Sequence, residues 1–186
     1  MRTLILAAAL LALAAPALAQ NAADQTKNGQ PPKAPSAMTQ TFVKNAAMTD
    51  IFEIQAGQAA QQKADAAAYK DFAQMIINDH TKTSNDLKGM NLGVQLPQEL
   101  DAAHKAKLDK LNSLSGAAFE RQFKTDQVQG HKQAIAQFER YAKSGDNPDL
   151  KKWAQDTLPT LKTHLQHAEA LPRPQAAPTM GSGPRR

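Results

Sequence analysis

Apolar residues recur every three or four positions through most of the segment 39–171, and this spacing limits the fold more than any other feature of the chain. The clearest case is TLPTLKTHLQHAEAL (157–171), in which Leu158, Leu161, Leu165 and Ala168 fall on one face of a helix. Strict alternation of apolar and polar residues, the pattern of a strand, does not persist for more than a few positions. The sequence therefore predicts an all-α domain.

Five helices are expected in this segment, and two of them have clear starting signals. Ser115 and Asn147 are suitable N-caps, and Pro148 suits the first position of a helix because it needs no backbone donor there. Four long helices and one short helix predict a four-helix bundle with the extra short helix in the crossover between its halves. The expected ranges are 39–63, 66–88, 98–114 (the short helix), a fourth from Gly116 to the KSGDNPDL turn, and a fifth from there to 171.

The N-terminal stretch MRTLILAAALLALAAPALAQ has the pattern of a secretory signal peptide, with cleavage expected after Ala19. Its apolar run is shorter than the ~20 residues that span a bilayer, so we expect no stable membrane anchor after cleavage. Residues rich in Pro, Gly, Asn and Gln flank the helical segment on both sides. The expected organisation is a signal peptide (1–19), a flexible linker (20–38), a helical bundle domain (39–171) and a disordered tail (172–186), in a periplasmic protein.

The charge pattern argues against nucleic acid as a partner. The chain has a net charge of +5, but its basic residues are spread along the sequence and form no cluster interleaved with aromatic residues. There is no cysteine, so no disulfide can staple the fold and no lipid-modified N-terminal cysteine can anchor it. An envelope protein and a second copy of the chain both stay open as partners.

Each long helix carries one candidate metal ligand on or beside its apolar stripe: Glu53, His80, His131 and His164. Imidazole and carboxylate groups suit divalent Zn, Fe, Mn, Ni and Cu, and the interiors of helical bundles hold such sites. The pattern predicts one divalent transition metal, with Asp79 and Gln127 as hydrogen-bond acceptors that orient the imidazoles. The alternative is that each histidine is a core residue bonded to a polar neighbour such as these two.

Two further residues carry expectations. His104 lies just before Lys105 and Lys107 on the short helix and is expected to face solvent. Pro159 lies inside the last helix, where proline removes a backbone donor, and we expect a kink that tilts His164 inward. The sequence has no Gly-rich phosphate loop and no Gly-x-Ser-x-Gly motif, so it indicates no catalytic residue and no binding site for an organic cofactor.

Four stretches of the sequence resemble an exported bacterial family, domain of unknown function 4142 (DUF4142). They are FVKNAAMTDIFEIQAGQAA, YKDFAQMIINDHTKTSNDLK, QVQGHKQAIAQFERYA and TLPTLKTHLQHAEAL. The resemblance implies a ferritin-like four-helix bundle whose biochemical activity is not established. Ferritin-like di-metal enzymes use Glu-x-x-His on two helices, whereas Ile77 and Leu161 stand three residues before His80 and His164. One metal ion is therefore expected rather than two.

These observations favour an exported bundle that binds one divalent transition metal, or that acts in envelope stress or homeostasis without being an enzyme. Two alternatives belong to other classes. The first is a metal-dependent redox enzyme that acts on peroxide or oxygen, and the second is a metal-free helical interaction module.

Overall fold

The protein is described from a computed structural model that covers residues 34–174. These residues form five α-helices and no strand, which confirms the predicted all-α bundle with a short helix between its second and fourth helices. The helices are α1 (Ala37–Lys63), α2 (Ala67–Gly89), α3 (Ala102–Asn112), α4 (Gly116–Ser144) and α5 (Pro148–Ala170). The predicted signal peptide, most of the linker and most of the tail lie outside the described residues.

The helix ends agree with the capping residues in most cases. The Asn147 side chain accepts a hydrogen bond from the Leu150 N–H at the start of α5, and Pro148 is the first helical residue, as predicted. Ser115 does precede α4, but its side chain makes no capping hydrogen bond. The short helix α3 starts four residues later than predicted. Asp101 caps it there, because its side chain accepts a hydrogen bond from the His104 N–H.

The bundle consists of two helical hairpins. Helix α1 packs mainly on α2 and α4 mainly on α5, and the hairpins meet through α1 against α4 and α2 against α5. Helix α3 rests on α1 and α4. Gly57 allows the close approach of α1 and α2, since a Cβ there would lie 2.8 Å from Ile77 Cγ1 and 3.2 Å from the Ala73 carbonyl oxygen. The four long helices therefore face one another around a common interior.

A polar layer divides the buried interior into two apolar clusters. We call the first the Phe123 cluster, after its central ring, and the second the Trp153 cluster. The layer between them, called the histidine layer, consists of Asp50, Glu53, His80, Gln127, His131 and His164, each less than 5% exposed. The Phe123 cluster includes Phe52, Tyr69, Phe72, Ile76, Leu111, Phe119, Phe123 and Leu171. The Trp153 cluster includes Phe42, Val43, Leu87, Phe138, Tyr141, Leu150, Trp153 and Leu161.

Helix α5 runs without a break through Pro159. Proline has no N–H, so the Gln155 carbonyl loses its usual helical donor, and the predicted local kink stays a prediction. His164, one turn and a half further on, is 1% exposed and belongs to the histidine layer. Among the described helices, none combines the length and the apolar character needed to cross a membrane.

Candidate metal centre

The structure brings together His80, His131 and His164, the three histidines predicted as ligands on separate helices. Their ring centroids lie 5.2–5.8 Å apart, and each side chain is 3% exposed or less. One nitrogen from each ring can be chosen so that all three lie within 4.8 Å of one another. The helical stripes that carried the prediction point each ring to the centre of the bundle, because antiparallel packing places these three positions at the same level.

Each imidazole has its outer nitrogen held by an oxygen atom. His131 Nδ1 lies 2.9 Å from the Gln127 backbone carbonyl oxygen, one turn earlier in α4. His164 Nε2 lies 2.8 Å from Asp79 Oδ2, and His80 Nδ1 lies 2.8 Å from Asp50 Oδ1. Such partners fix both the orientation and the tautomer of metal-binding histidines.

The inner nitrogens consequently face one another with lone pairs. A carbonyl oxygen only accepts, so His131 Nδ1 carries the proton and Nε2 is left with a lone pair. His131 Nε2 lies 3.2 Å from His164 Nδ1, a hydrogen-bond distance at which His164 donates if it carries its proton on Nδ1 and at which two lone pairs meet if it carries the proton on Nε2. Two nitrogens each bound to one ion at ~2.0–2.1 Å in a tetrahedral arrangement would lie about 3.3 Å apart. His80 Nε2 is buried and has no hydrogen-bond partner among the described residues.

Burial keeps the imidazoles of His80 and His164 neutral. It lowers the pKa of His80 to about 4, against the opposing effect of the Glu53 charge. It also lowers the pKa of His164 to about 4, although the hydrogen bond to Asp79 acts the other way. Neutral imidazole is the form that binds a metal ion, so these two ligands are ready for binding at pH 7 without the loss of a proton.

Glu53, the fourth predicted ligand, is in the layer but outside the mutually close set of nitrogens. It is 2% exposed, and its Oε2 accepts a hydrogen bond from the Gln127 side-chain amide. Its negative charge nevertheless acts to raise the pKa of His80. Glu53 therefore supplies a carboxylate beside the three imidazoles rather than a fourth atom at the same point.

The two predicted orienting residues act on the imidazoles in ways that the sequence did not reveal. Asp79 bonds to His164 across the bundle and not to its neighbour His80. Gln127 orients His131 with its backbone carbonyl, while its side chain donates to Glu53.

Asp50 was missed in the sequence, although a signal was present. It lies four residues after Ala46 and three before Glu53, so it continues the apolar stripe of α1 with a carboxylate. It is 4% exposed, and Thr83 donates a second hydrogen bond to its Oδ1. Burial raises the pKa of Asp50 well above its usual range.

His104 is less exposed than the sequence predicted. It was predicted to face solvent, but only 31% of its side chain is exposed, because its ring packs edge-on against Phe52 with the centroids 5.7 Å apart. Its Nδ1 lies 2.8 Å from Asp101 Oδ1. It takes no part in the histidine layer.

Comparison with known proteins identifies the family of the chain. A family model described as "Domain of unknown function (DUF4142)" matches residues 18–171. The chain belongs to this family. No curated protein matches it.

A crystal structure of a DUF305 fragment from Deinococcus radiodurans shares the fold of this DUF4142 chain. The two are 14% identical, with a TM-score of 0.64 over 73% of this chain and 95% of the other. At that identity the likeness is one of fold alone. It agrees with the bundle formed by helices α1 to α5.

The di-metal motif of ferritin-like enzymes is absent from this DUF4142 bundle, as the sequence indicated. Leu161 is 3% exposed and packs in the Trp153 cluster, and Ile77 lies against Gly57 of α1. Apolar side chains thus occupy the positions at which bridging carboxylates would stand. The layer offers ligands for one ion.

Proposed function

We propose that this protein is an exported helical bundle that binds one divalent transition metal ion through His80, His131 and His164. One observation carries the proposal: three buried imidazoles have their outer nitrogens held by oxygen atoms while their inner nitrogens converge within 4.8 Å. Histidines that merely fill a core need one hydrogen-bond partner each, and nothing requires their remaining nitrogens to meet.

A bound cation would stabilise this arrangement of nitrogens. Converging lone pairs repel one another, and a proton placed among them would charge an imidazole whose pKa burial has lowered to about 4. A divalent metal ion accepts all three lone pairs without adding a proton. The carboxylates of Asp79 and Glu53 lie beside the centre and balance the charge of the ion, while Asp50 holds the His80 ring.

Glu53 is the candidate for an additional ligand, in keeping with the set predicted from the sequence. Three protein nitrogens with one further position is the arrangement of an open zinc-type site. Mononuclear binding is favoured because, among residues 34–174, these histidines form the one group of three or more His, Asp or Glu side chains that could hold a metal ion.

The proposed location is the periplasm, on the strength of the signal-peptide pattern in residues 1–19. A metal-binding bundle there fits a role in metal homeostasis or stress protection of the envelope. The intact mass of the exported protein tests the location. A mass that begins at Gln20 is expected, and a mass that includes Met1 to Ala19 would rule out cleavage.

Metal content tests the function directly. Untagged protein purified from the periplasm is expected to carry close to one equivalent of a transition metal by elemental analysis, or to take up one equivalent after dialysis against chelator. His164→Ala is the test variant, and His167→Ala is its matched control, because His167 lies one turn further along α5 and is exposed. Equal uptake by both variants would place metal binding outside the three histidines, and no uptake by the parent would show a metal-free bundle.

A further inference from the structure

A groove on the surface of the bundle leads to the histidine layer. It lies between α1 and α4 beside α3 and the segment that precedes it, and its volume is about 700 Å³. Of the six residues of the layer, Glu53 is the one that lines the groove. The remaining five do not line it, and all three imidazoles are 3% exposed or less.

Gly130 keeps the approach to Glu53 open. It lies in α4 and lines the same groove. A Cβ on Gly130 would stand 3.3 Å from Glu53 Oε1, which is closer than carbon atoms usually come. Glycine costs an α-helix about 1 kcal/mol relative to alanine, so its place in the middle of α4 has a price in stability. Its effect here is that Glu53, although only 2% exposed, forms part of the groove wall.

A short series of contacts connects Glu53 with the metal centre. The second oxygen of Glu53 accepts from the Gln127 side chain, and the Gln127 backbone carbonyl accepts from His131 Nδ1. The Gln127 side-chain oxygen is buried with no hydrogen-bond partner among the described residues. The inner end of this series is the protonated outer nitrogen of His131, so the series holds Glu53 in place beside the centre. The Glu53 charge also acts on His80, whose Nε2 has no hydrogen-bond partner among the described residues.

The opposite side of the centre is less suited to entry. The Asp79 side chain is 40% exposed, but the His164 ring stands between it and the centre, since Nε2 faces Asp79 and Nδ1 faces His131. An ion that arrived at Asp79 would meet a nitrogen that already carries a proton. It would have to displace the His164 ring to reach the inner nitrogens.

We propose that the groove is the loading route of the metal centre, with Glu53 as the carboxylate that first receives the divalent ion and Gly130 as the opening in α4. The inference rests on the proposed metal-binding function. Glu53 is thereby assigned to the transfer of the ion between solvent and the three imidazoles, which accounts for its position outside the close set of nitrogens.

The test is the rate at which metal-free protein takes up Co²⁺, followed by the visible absorbance of the bound ion in a stopped-flow instrument. A Cβ at position 130 meets Glu53 Oε1 and no imidazole atom within 4 Å, so Gly130→Leu should cover Glu53 and slow loading about tenfold or more. Release should slow by the same factor, so that the dissociation constant stays within about threefold of the parent. Gly89→Leu is the matched control, because a Cβ on Gly89 would meet nothing within 4 Å, and it should load at the parental rate.

Each other outcome overturns the loading route. Parental loading by Gly130→Leu would show that the ion enters elsewhere, and slower loading by Asp79→Asn alone would place entry at the α2 and α5 side. A weaker dissociation constant with unchanged loading would make Gly130 a determinant of the site rather than of access. Failure of the parent to bind Co²⁺, Zn²⁺ or Cu²⁺ would instead refute the proposed function, and the route with it.

Discussion

The histidine layer and the two apolar clusters that enclose it are built on opposite principles. In the Phe123 and Trp153 clusters, aromatic and aliphatic side chains pack against one another, with ring pairs such as Phe119 and Phe123 stacked at 5.8 Å. The layer holds three of the four buried side-chain atoms that lack a hydrogen-bond partner in the described part of the chain. They are Asp50 Oδ2, His80 Nε2 and Gln127 Oε1.

The contrast shows which part of the bundle stabilises it and which part is costly. A buried polar atom without a partner costs roughly 1–3 kcal/mol, so the layer weakens the fold that the clusters support. Such a cost is typical of sites in which binding, rather than folding, determines the residues. The clusters on both sides exclude water from the layer and hold its side chains in place.

The largest expected effect is the loss of an aromatic side chain from a cluster. Phe123→Ala removes a fully buried ring and should lower the free energy of unfolding by roughly 3–5 kcal/mol. His131→Ala in metal-free protein should cost about half of that or less, because the Gln127 carbonyl keeps its helical donor and one converging lone pair is removed. Urea unfolding followed by circular dichroism measures both, and equal losses would erase the distinction between layer and cluster.

Acidification should weaken the layer while it leaves the clusters unaffected. The pKa of His80 is about 4 in the folded protein and about 6.5 when unfolded, so the unfolded chain binds more protons between these values. Stability of the metal-free protein should therefore fall as pH decreases from 6.5 towards 4, by the order of 3 kcal/mol at about 1.4 kcal/mol per pH unit. His164 acts in the same sense, and Asp50, whose pKa is raised, acts in the opposite sense.

Unfolding midpoints at pH 7, 6 and 5 in the presence of chelator measure this dependence. The exposed His167 offers the control, since His167→Gln should leave the slope unchanged. A flat profile between pH 7 and 5 would mean that the buried histidines do not resist protonation.

Metal binding should offset the free-energy cost of the buried polar layer. If an ion binds only the folded state, a free concentration 100 times the dissociation constant adds about 2.7 kcal/mol of stability. Thermal melting of metal-free protein with Zn²⁺, Mn²⁺, Fe²⁺, Ni²⁺ and Cu²⁺ should show the gain for at least one of them. The gain should vanish in His164→Ala and persist in Phe123→Ala, provided that the latter is folded at the start of the melt. Stabilisation that survives in His164→Ala would place binding outside the layer.

The smallest expected effect concerns Asp50. Asp50→Asn removes a carboxylate whose charge burial disfavours, so the stability of metal-free protein should change by less than about 1 kcal/mol. Metal affinity should fall roughly 10–100-fold, because the amide orients the His80 ring less firmly than a carboxylate does. Calorimetric titration gives the affinity, with Asp101→Asn at the exposed Asp101–His104 pair as the control. Unchanged affinity would make the contact between Asp50 and His80 purely structural.

Much of the helical framework was predictable because its signals are local. The apolar stripes, the Asn147 cap and the proline that follows it act within one or two turns, so they can be read from neighbouring residues. The largest boundary error, at the start of α3, comes from a local cap that was overlooked, Asp101. The start of α2 depends on a distant contact instead: Glu120 of α4 accepts from the backbone N–H groups of Asp65 and Ala66, just before α2. No pattern in residues 64–66 announces that partner.

The sequence by itself determined the all-helical character of the domain and the three histidines that its apolar stripes carry inward. Helical periodicity is enough for that, since a residue on the apolar face must point into whatever core the helices form. Only the tertiary structure decided which groups meet: Asp79 with His164 instead of His80, Asp50 with His80, and Glu53 with the groove beneath Gly130. These pairings depend on the relative depth and rotation of four helices, which packing sets over the whole bundle.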